Sequence, residues 1–68
     1  MEKDWIKIYS SPQIHKIEIV KGVLGDNNIK SVSINKHDSS YRSFGEIELY
    51  VNKEDALKAL QIINKNEL

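Results

Sequence analysis

The sequence predicts an α+β fold, a two-layer sandwich in which a three-stranded antiparallel sheet carries two helices on one face. Short segments in which apolar and polar residues alternate are typical of strands, and longer segments with a helical spacing of apolar residues lie between them. Their order along the chain is strand, helix, strand, strand, helix. Each element has one apolar face to bury, and two packed layers bury all of those faces together.

The first strand is predicted at residues 5–9, where the side chains alternate between two faces. Ile6 and Ile8 point to one face, and Trp5, Lys7 and Tyr9 point to the other.

The first helix is predicted from about Pro12 to Asn27. The Ser11 hydroxyl can accept from a free backbone N–H, and Pro12 suits a first helical position because its missing N–H costs nothing there. The run from Gly25 to Asn28 predicts the end of the helix, since its residues tolerate left-handed backbone angles. The apolar side of the helix comprises Ile14, Ile17, Val20, Val23 and Leu24.

The second and third strands show the same alternation. In the second, Val32 and Ile34 alternate with Ser31, Ser33 and Asn35. In the third, Ile47, Leu49 and Val51 alternate with Glu46, Glu48 and Tyr50. The polar segment from His37 to Gly45 is predicted to be a loop between them, longer than a two-residue hairpin turn.

Asn52 is predicted to cap a final helix, and Asp55 can reach back as in a capping box. Ala56, Ala59, Leu60 and Ile63 form the apolar stripe of that helix. A right-handed crossover through the first helix places the third strand between the other two, antiparallel to both. This arrangement resembles a ferredoxin-like fold without its last strand, and it leaves the first strand, with Trp5, at an unpaired edge.

Composition limits the domain count and the partners. A chain of 68 residues is expected to form one domain, residues 1–68, and its ten basic and ten acidic side chains cancel. Without a net positive charge, binding to nucleic acid or to an anionic membrane surface is disfavoured. The chain has no cysteine and no apolar run of signal-peptide or membrane-span length. We therefore expect a cytoplasmic protein.

Several short segments, spaced along nearly the whole chain, resemble a known family. They are Ile8-Tyr9-Ser10, Glu18, Lys21-Gly22-Val23-Leu24, Ile29, Glu48-Leu49-Tyr50-Val51, Asp55-Ala56 and Ala59-Leu60. In these segments the chain resembles a family of small bacterial proteins described as putative signal-transducing proteins of unknown function. The resemblance implies a ferredoxin-like fold related to PII-like signalling proteins, and a regulatory or sensing role. It supplies no catalytic residue.

The aromatic residues on the second face of the sheet indicate a contact surface, because small domains normally bury such groups. The predicted partner-binding residues are Trp5, Lys7, Tyr9, Glu48 and Tyr50. Lys7 can neutralise a glutamate across the sheet. Aromatic residues with few charges favour a protein interface, and a free edge suits a symmetric homodimer. The alternative is that Trp5 covers the end of the core.

A second hypothesis is a sensor for an anionic metabolite or nucleotide. His37, Tyr41 and Arg42 lie in the predicted loop, and an arginine with neighbouring hydroxyls can hold a phosphate or carboxylate, with Lys7 nearby. The alternative is that the loop is polar because it is solvated.

Catalysis, a metal site and a cofactor are not expected. Glu46 and Glu48 lie two residues apart on one strand face, but no activated nucleophile or phosphate-binding glycine loop accompanies them. His15 and His37 lack the spacing of metal ligands. The favoured hypothesis is therefore a non-enzymatic regulatory or protein-interaction module that uses the second sheet face and the edge of the first strand.

Overall fold

The computed structural model describes residues 4–35 and 46–68. The elements in chain order are β1 (Trp5–Ser11), α1 (Ile14–Asp26), β2 (Ser31–Asn35), β3 (Ile47–Asn52), a 3₁₀ turn (Lys53–Asp55) and α2 (Ala56–Lys65). The predicted α+β class and the order of its elements are confirmed. The predicted loop from His37 to Gly45 lies outside the described residues.

The three strands form an open sheet in the order β1-β3-β2. Both neighbours of β3 run antiparallel to it, as the crossover argument predicts. β3 is therefore the central strand, and β1 and β2 are the edge strands.

One hydrophobic core lies between the sheet and the helices. Its buried members are Ile8, Ile17, Val20, Leu24, Ile29, Ile47, Leu49, Val51 and Ala59. Both helices contribute to this single cluster, so both lie on the same face of the sheet, as predicted. We call that face the inner face and the opposite one the outer face.

Helix α1 begins two residues later than predicted, because Ser11 is still part of β1. The Ser11 Oγ accepts from the N–H of Gln13 at 3.1 Å, so the hydroxyl closes the turn that precedes the helix. The helix ends in a Schellman motif. Asn28 has a φ of 64°, and the Ile29 N–H donates to the Leu24 carbonyl at 2.9 Å. The left-handed residue predicted after this helix is thus Asn28.

Helix α2 is preceded by the 3₁₀ turn, which Asn52 caps. Its Oδ1 accepts from the Glu54 N–H at 3.1 Å, as a cap residue should. The capping box predicted for Asp55 is wrong, because Asp55 is itself the N-cap residue immediately before α2 and its side chain makes no capping hydrogen bond. The helix ends in a second Schellman motif, with Glu67 at a φ of 57° and the Leu68 N–H donating to the Ile63 carbonyl at 3.0 Å.

A β-bulge in β1 reverses the predicted facing of Tyr9. Lys7 lies opposite Tyr50, but the next paired residue is Tyr9, which lies opposite Leu49, so Ile8 is the extra residue. Ile8 and Tyr9 therefore both face the helices, and Tyr9 packs against the core. The prediction that Tyr9 shares a face with Trp5 and Lys7 is wrong.

The apolar residues of β2 point away from the core. Val32 lies opposite Tyr50 and Ile34 opposite Glu48, while Ser33 lies opposite the buried Leu49. Residues directly opposite each other in an antiparallel pair share a face, so the apolar side of β2 belongs to the outer face. This corrects the expectation that every element buries its apolar face against the other layer.

Candidate functional site on the outer face of the sheet

The outer face brings together side chains from all three strands. Its members are Trp5, Lys7 and Ser10 from β1, Val32 and Ile34 from β2, and Glu48, Tyr50 and Asn52 from β3. The strand register arranges them in rows across the sheet. One row is Lys7, Tyr50 and Val32, and the next is Ser10, Glu48 and Ile34.

A polar cluster of three residues lies at the centre of this face. The Lys7 Nζ is 3.5 Å from the Glu48 Oε2, and the Tyr50 hydroxyl donates to the Glu48 Oε1 at 2.8 Å. The ion pair predicted across the sheet is thus present. The Glu48 side chain is only 17% exposed, whereas that of Lys7 is 51% exposed. The Glu48 carboxylate is therefore held within the sheet surface, and the Lys7 ammonium lies on the solvent side of the cluster.

The hydrogen bond to Glu48 raises the pKa of the Tyr50 hydroxyl above its ordinary value of 10.0. Partial desolvation and the negative charge of Glu48 act in the same direction. Each of these disfavours the phenolate, so Tyr50 remains a neutral hydrogen-bond donor at physiological pH. This arrangement orients side chains, and it opposes use of Tyr50 as a nucleophile or base.

Apolar groups surround the polar cluster. Trp5, Ile34 and Tyr50 are half-buried, and Val32 is 39% exposed. Trp5 lies opposite Asn52, in the row next to that of Tyr50 and Val32 on this face. A large side chain can reach diagonally from one row to the next. The outer face is therefore a mixed surface, with one cation and one anion among aromatic and branched side chains.

Sequence reasoning missed Val32 and Ile34 as members of this surface. Alternation shows that they share a face, but it does not show which face is buried. The other side of β2 consists of Ser31, Ser33 and Asn35, and such a polar side is normally expected to face water. Only the register of β2 with β3 places these three residues on the inner face.

The remaining predicted site residues do not belong to this surface. Tyr9 lies on the inner face, where its hydroxyl donates to the Leu68 carbonyl at 3.1 Å and ties β1 to the segment that follows α2. His37, Tyr41 and Arg42 lie outside the described residues. His15 is exposed on α1. Within residues 4–35 and 46–68, no group of three or more metal-ligating side chains converges.

The fold and this surface define a small α+β domain with an open, partly apolar sheet face. The chain belongs to the family described as "Putative prokaryotic signal transducing protein", which matches residues 5–67. This confirms the resemblance inferred from the short segments. The description places the family in signal transduction and names no ligand or partner.

Comparison with curated proteins and with solved structures found no match. Among the residues that the structure describes, no helix is both long and apolar enough to cross a membrane.

Proposed function

We propose that this protein is a non-enzymatic regulatory module in signal transduction, that it acts through protein contacts, and that its outer face binds a second copy of the chain. The orientation of β2 carries the proposal. Val32 and Ile34 point away from the core, while Ser33 lies beside the buried Leu49 on the inner face.

This orientation is unfavourable for an isolated domain. Apolar area left in water forfeits about 25 cal/mol per Å², and a strand with its apolar residues turned inward would recover that energy. A contiguous apolar patch on a small protein marks a contact site. A partner that covers Val32, Ile34 and Trp5 removes the cost, and this gives the orientation a physical reason.

The charges of the outer face favour a second copy as that partner. Lys7 and Glu48 lie side by side, so the face carries no net charge from this pair and presents both signs. Contacts about a two-fold axis are reciprocal, so an axis that brings Lys7 of one copy towards Glu48 of the other also brings the first copy's Glu48 towards the second copy's Lys7. Aromatic residues around few charges are also typical of the centre of an interface.

The face, rather than the edge of β1, is the main contact in this proposal. β1 is an edge strand, as predicted, but its bulge between Lys7 and Tyr9 interrupts the regular ladder. Bulges at sheet edges oppose pairing with another strand. Trp5 and Lys7 then contribute through their side chains on the outer face.

Sedimentation velocity over a range of micromolar concentrations tests this proposal, with Val32→Glu as the disrupting variant. Val32 is exposed on an edge strand, so the change should leave the core intact, and it replaces an apolar contact group of the outer face with a charged one. Leu57→Glu is the matched control, because Leu57 is 70% exposed on α2. We expect the wild type and Leu57→Glu to dimerise and Val32→Glu to remain a monomer. A wild type that stays monomeric at high micromolar concentration would overturn the proposal.

A further inference from the structure

We propose that the groove between α1 and the edge strand β2 is a peptide-binding site, which takes an extended segment of a partner protein that pairs with β2 as an additional strand. This site lies at a different place from the outer face, and it goes beyond the self-association proposed above.

The backbone of β2 is suited to strand addition. One side of β2 pairs with β3 in a continuous register from Ser31 to Asn35, and on its other side β2 pairs with no strand among the described residues. The five residues of β2 include no proline and no charge, which are the usual means of blocking an edge. β1, by contrast, carries the bulge. Of the two edges, β2 is therefore the one that can accept a regular strand.

A groove with a volume of about 460 Å³ runs beside this edge on the inner side. Its walls and floor are formed by Ile14, Ile17, Glu18, Lys21 and Gly22 of α1, Ser33 and Asn35 of β2, and Ile47 of β3. Ile14 is 59% exposed there, which leaves an apolar side chain without a packing partner in this groove. A strand added to β2 would point every second side chain into the groove, towards Ile14 and Ile17.

Gly22 keeps the wall of this groove low. A glycine inside a helix costs about 1 kcal/mol relative to alanine. The fold does not require it, since Gly22 does not have a positive φ and a Cβ added there would meet no atom within 4 Å. A side chain at Gly22 would instead extend from α1 into the space beside β2. In this proposal, Gly22 leaves space beside β2 for the bound segment, which is a role that the fold itself does not require.

The charges around the groove indicate the chemistry of the segment. Lys21 and Glu18 line the groove, so it presents one charge of each sign. In the described part of the chain, Lys21 has no ion-pair partner. A carboxylate on the bound segment can pair with this ammonium group. The expected partner is thus an extended peptide with apolar residues at alternate positions and at least one carboxylate.

Selection from a displayed library of linear peptides longer than β2 tests this inference, followed by fluorescence polarisation with the selected peptides. We expect binders with alternating apolar residues and an acidic residue. Gly22→Leu should weaken their binding at least about tenfold. Gly25→Leu is the matched control, because Gly25 is also helical with open space at its Cβ but does not line the groove. Lys21→Glu should weaken binding as well.

Amide hydrogen exchange in the presence of a selected peptide supplies the second readout. Pairing with β2 should protect alternate amides of Ser31–Asn35, because only every second residue points its N–H to the open side. A library that yields no binder would overturn the inference, and so would binders that Gly22→Leu leaves unaffected or that protect no β2 amide. Gly22→Leu should still sediment as the wild type does, so failure here is distinguishable from failure of the proposed dimer.

Discussion

Two tyrosines on neighbouring strands have different roles in this molecule. Tyr50 lies on the outer face and donates to Glu48, whereas Tyr9 lies on the inner face and donates to the backbone at Leu68. The sequence pattern gives both residues the same description, an aromatic that alternates with aliphatic neighbours. The bulge at Ile8 separates them, and the alternation of a single strand contains no sign of it.

Tyr9→Phe should lower the free energy of unfolding by about 0.5–1.5 kcal/mol, because it removes one partly buried hydrogen bond and leaves the ring in place. The Leu68 carbonyl that loses this donor lies three residues beyond Lys65, the last residue of α2. Urea denaturation followed by circular dichroism measures the change. A variant as stable as the wild type would show that this bond does not fix the end of the chain to β1.

Glu48→Gln should lower the pKa of Tyr50 towards its ordinary value, because it removes the charge and the carboxylate acceptor that raise it. In the wild type, the folded pKa is above the unfolded one. The stabilisation from this contact is therefore complete below the unfolded pKa and is lost as the pH rises through the folded pKa.

Absorbance titration of the tyrosinate form measures this shift. The chain has three tyrosines, so the difference between the wild type and Tyr50→Phe isolates the one concerned. If Tyr50 titrates at the same pH with and without the Glu48 carboxylate, its contact with Glu48 is not the cause of the raised pKa.

At the level of elements, both helices end in the same way, with a left-handed residue and an apolar residue that returns to the core. The left-handed residue is Asn28 after α1 and Glu67 after α2. Asparagine tolerates this conformation better than most residues, while glutamate has no such advantage. Of the apolar residues that follow, Ile29 is part of the core cluster and Leu68 packs against it.

Glu67→Gly should raise the stability by about 1 kcal/mol, since glycine adopts a positive φ without the steric cost of a Cβ. Lys65→Gly is the matched control, because Lys65 is the last residue of α2 and has helical backbone angles. The control should lose up to about 1 kcal/mol. Thermal unfolding of the two variants gives the comparison, and a destabilised Glu67→Gly would contradict the role assigned to this helix end.

The sequence predicts the elements well because each has a local signal. The alternation in β3 and the helical spacing in α2 are local patterns, and Gly25 together with Asn27 and Asn28 marks the end of α1. The start of α1 is predicted less accurately, since Ser11 is suited both to the end of a strand and to the cap of a helix. In the structure it does both, ending β1 and accepting from the Gln13 N–H.

At the scale of the whole molecule, the strand order follows from the order of elements and a right-handed crossover, and it is predicted correctly. The composition of the outer face is predicted only in part. Trp5, Lys7, Glu48 and Tyr50 are placed there by simple alternation from strands whose buried face is obvious. Val32 and Ile34 are missed because the facing of β2 depends on its register with β3, which no local pattern specifies.

The two faces of the sheet have different roles in this small domain. The inner layer holds the core, and the outer face presents a balanced ion pair among apolar groups. We propose that two copies of the chain join through these faces about a two-fold axis. Such an axis would pair each Lys7 with the Glu48 of the other copy.

Mixing two charge-reversal variants tests that claim most directly. Lys7→Glu puts two acidic groups on each face, and Glu48→Lys puts two basic groups there, so each variant alone should sediment as a monomer because of like-charge repulsion. An equimolar mixture brings opposite charges together at both contacts. We predict that the mixture sediments as a heterodimer, with the association weakened by added salt. Two variants that dimerise separately, or a mixture that remains monomeric beside a dimeric wild type, would contradict the account.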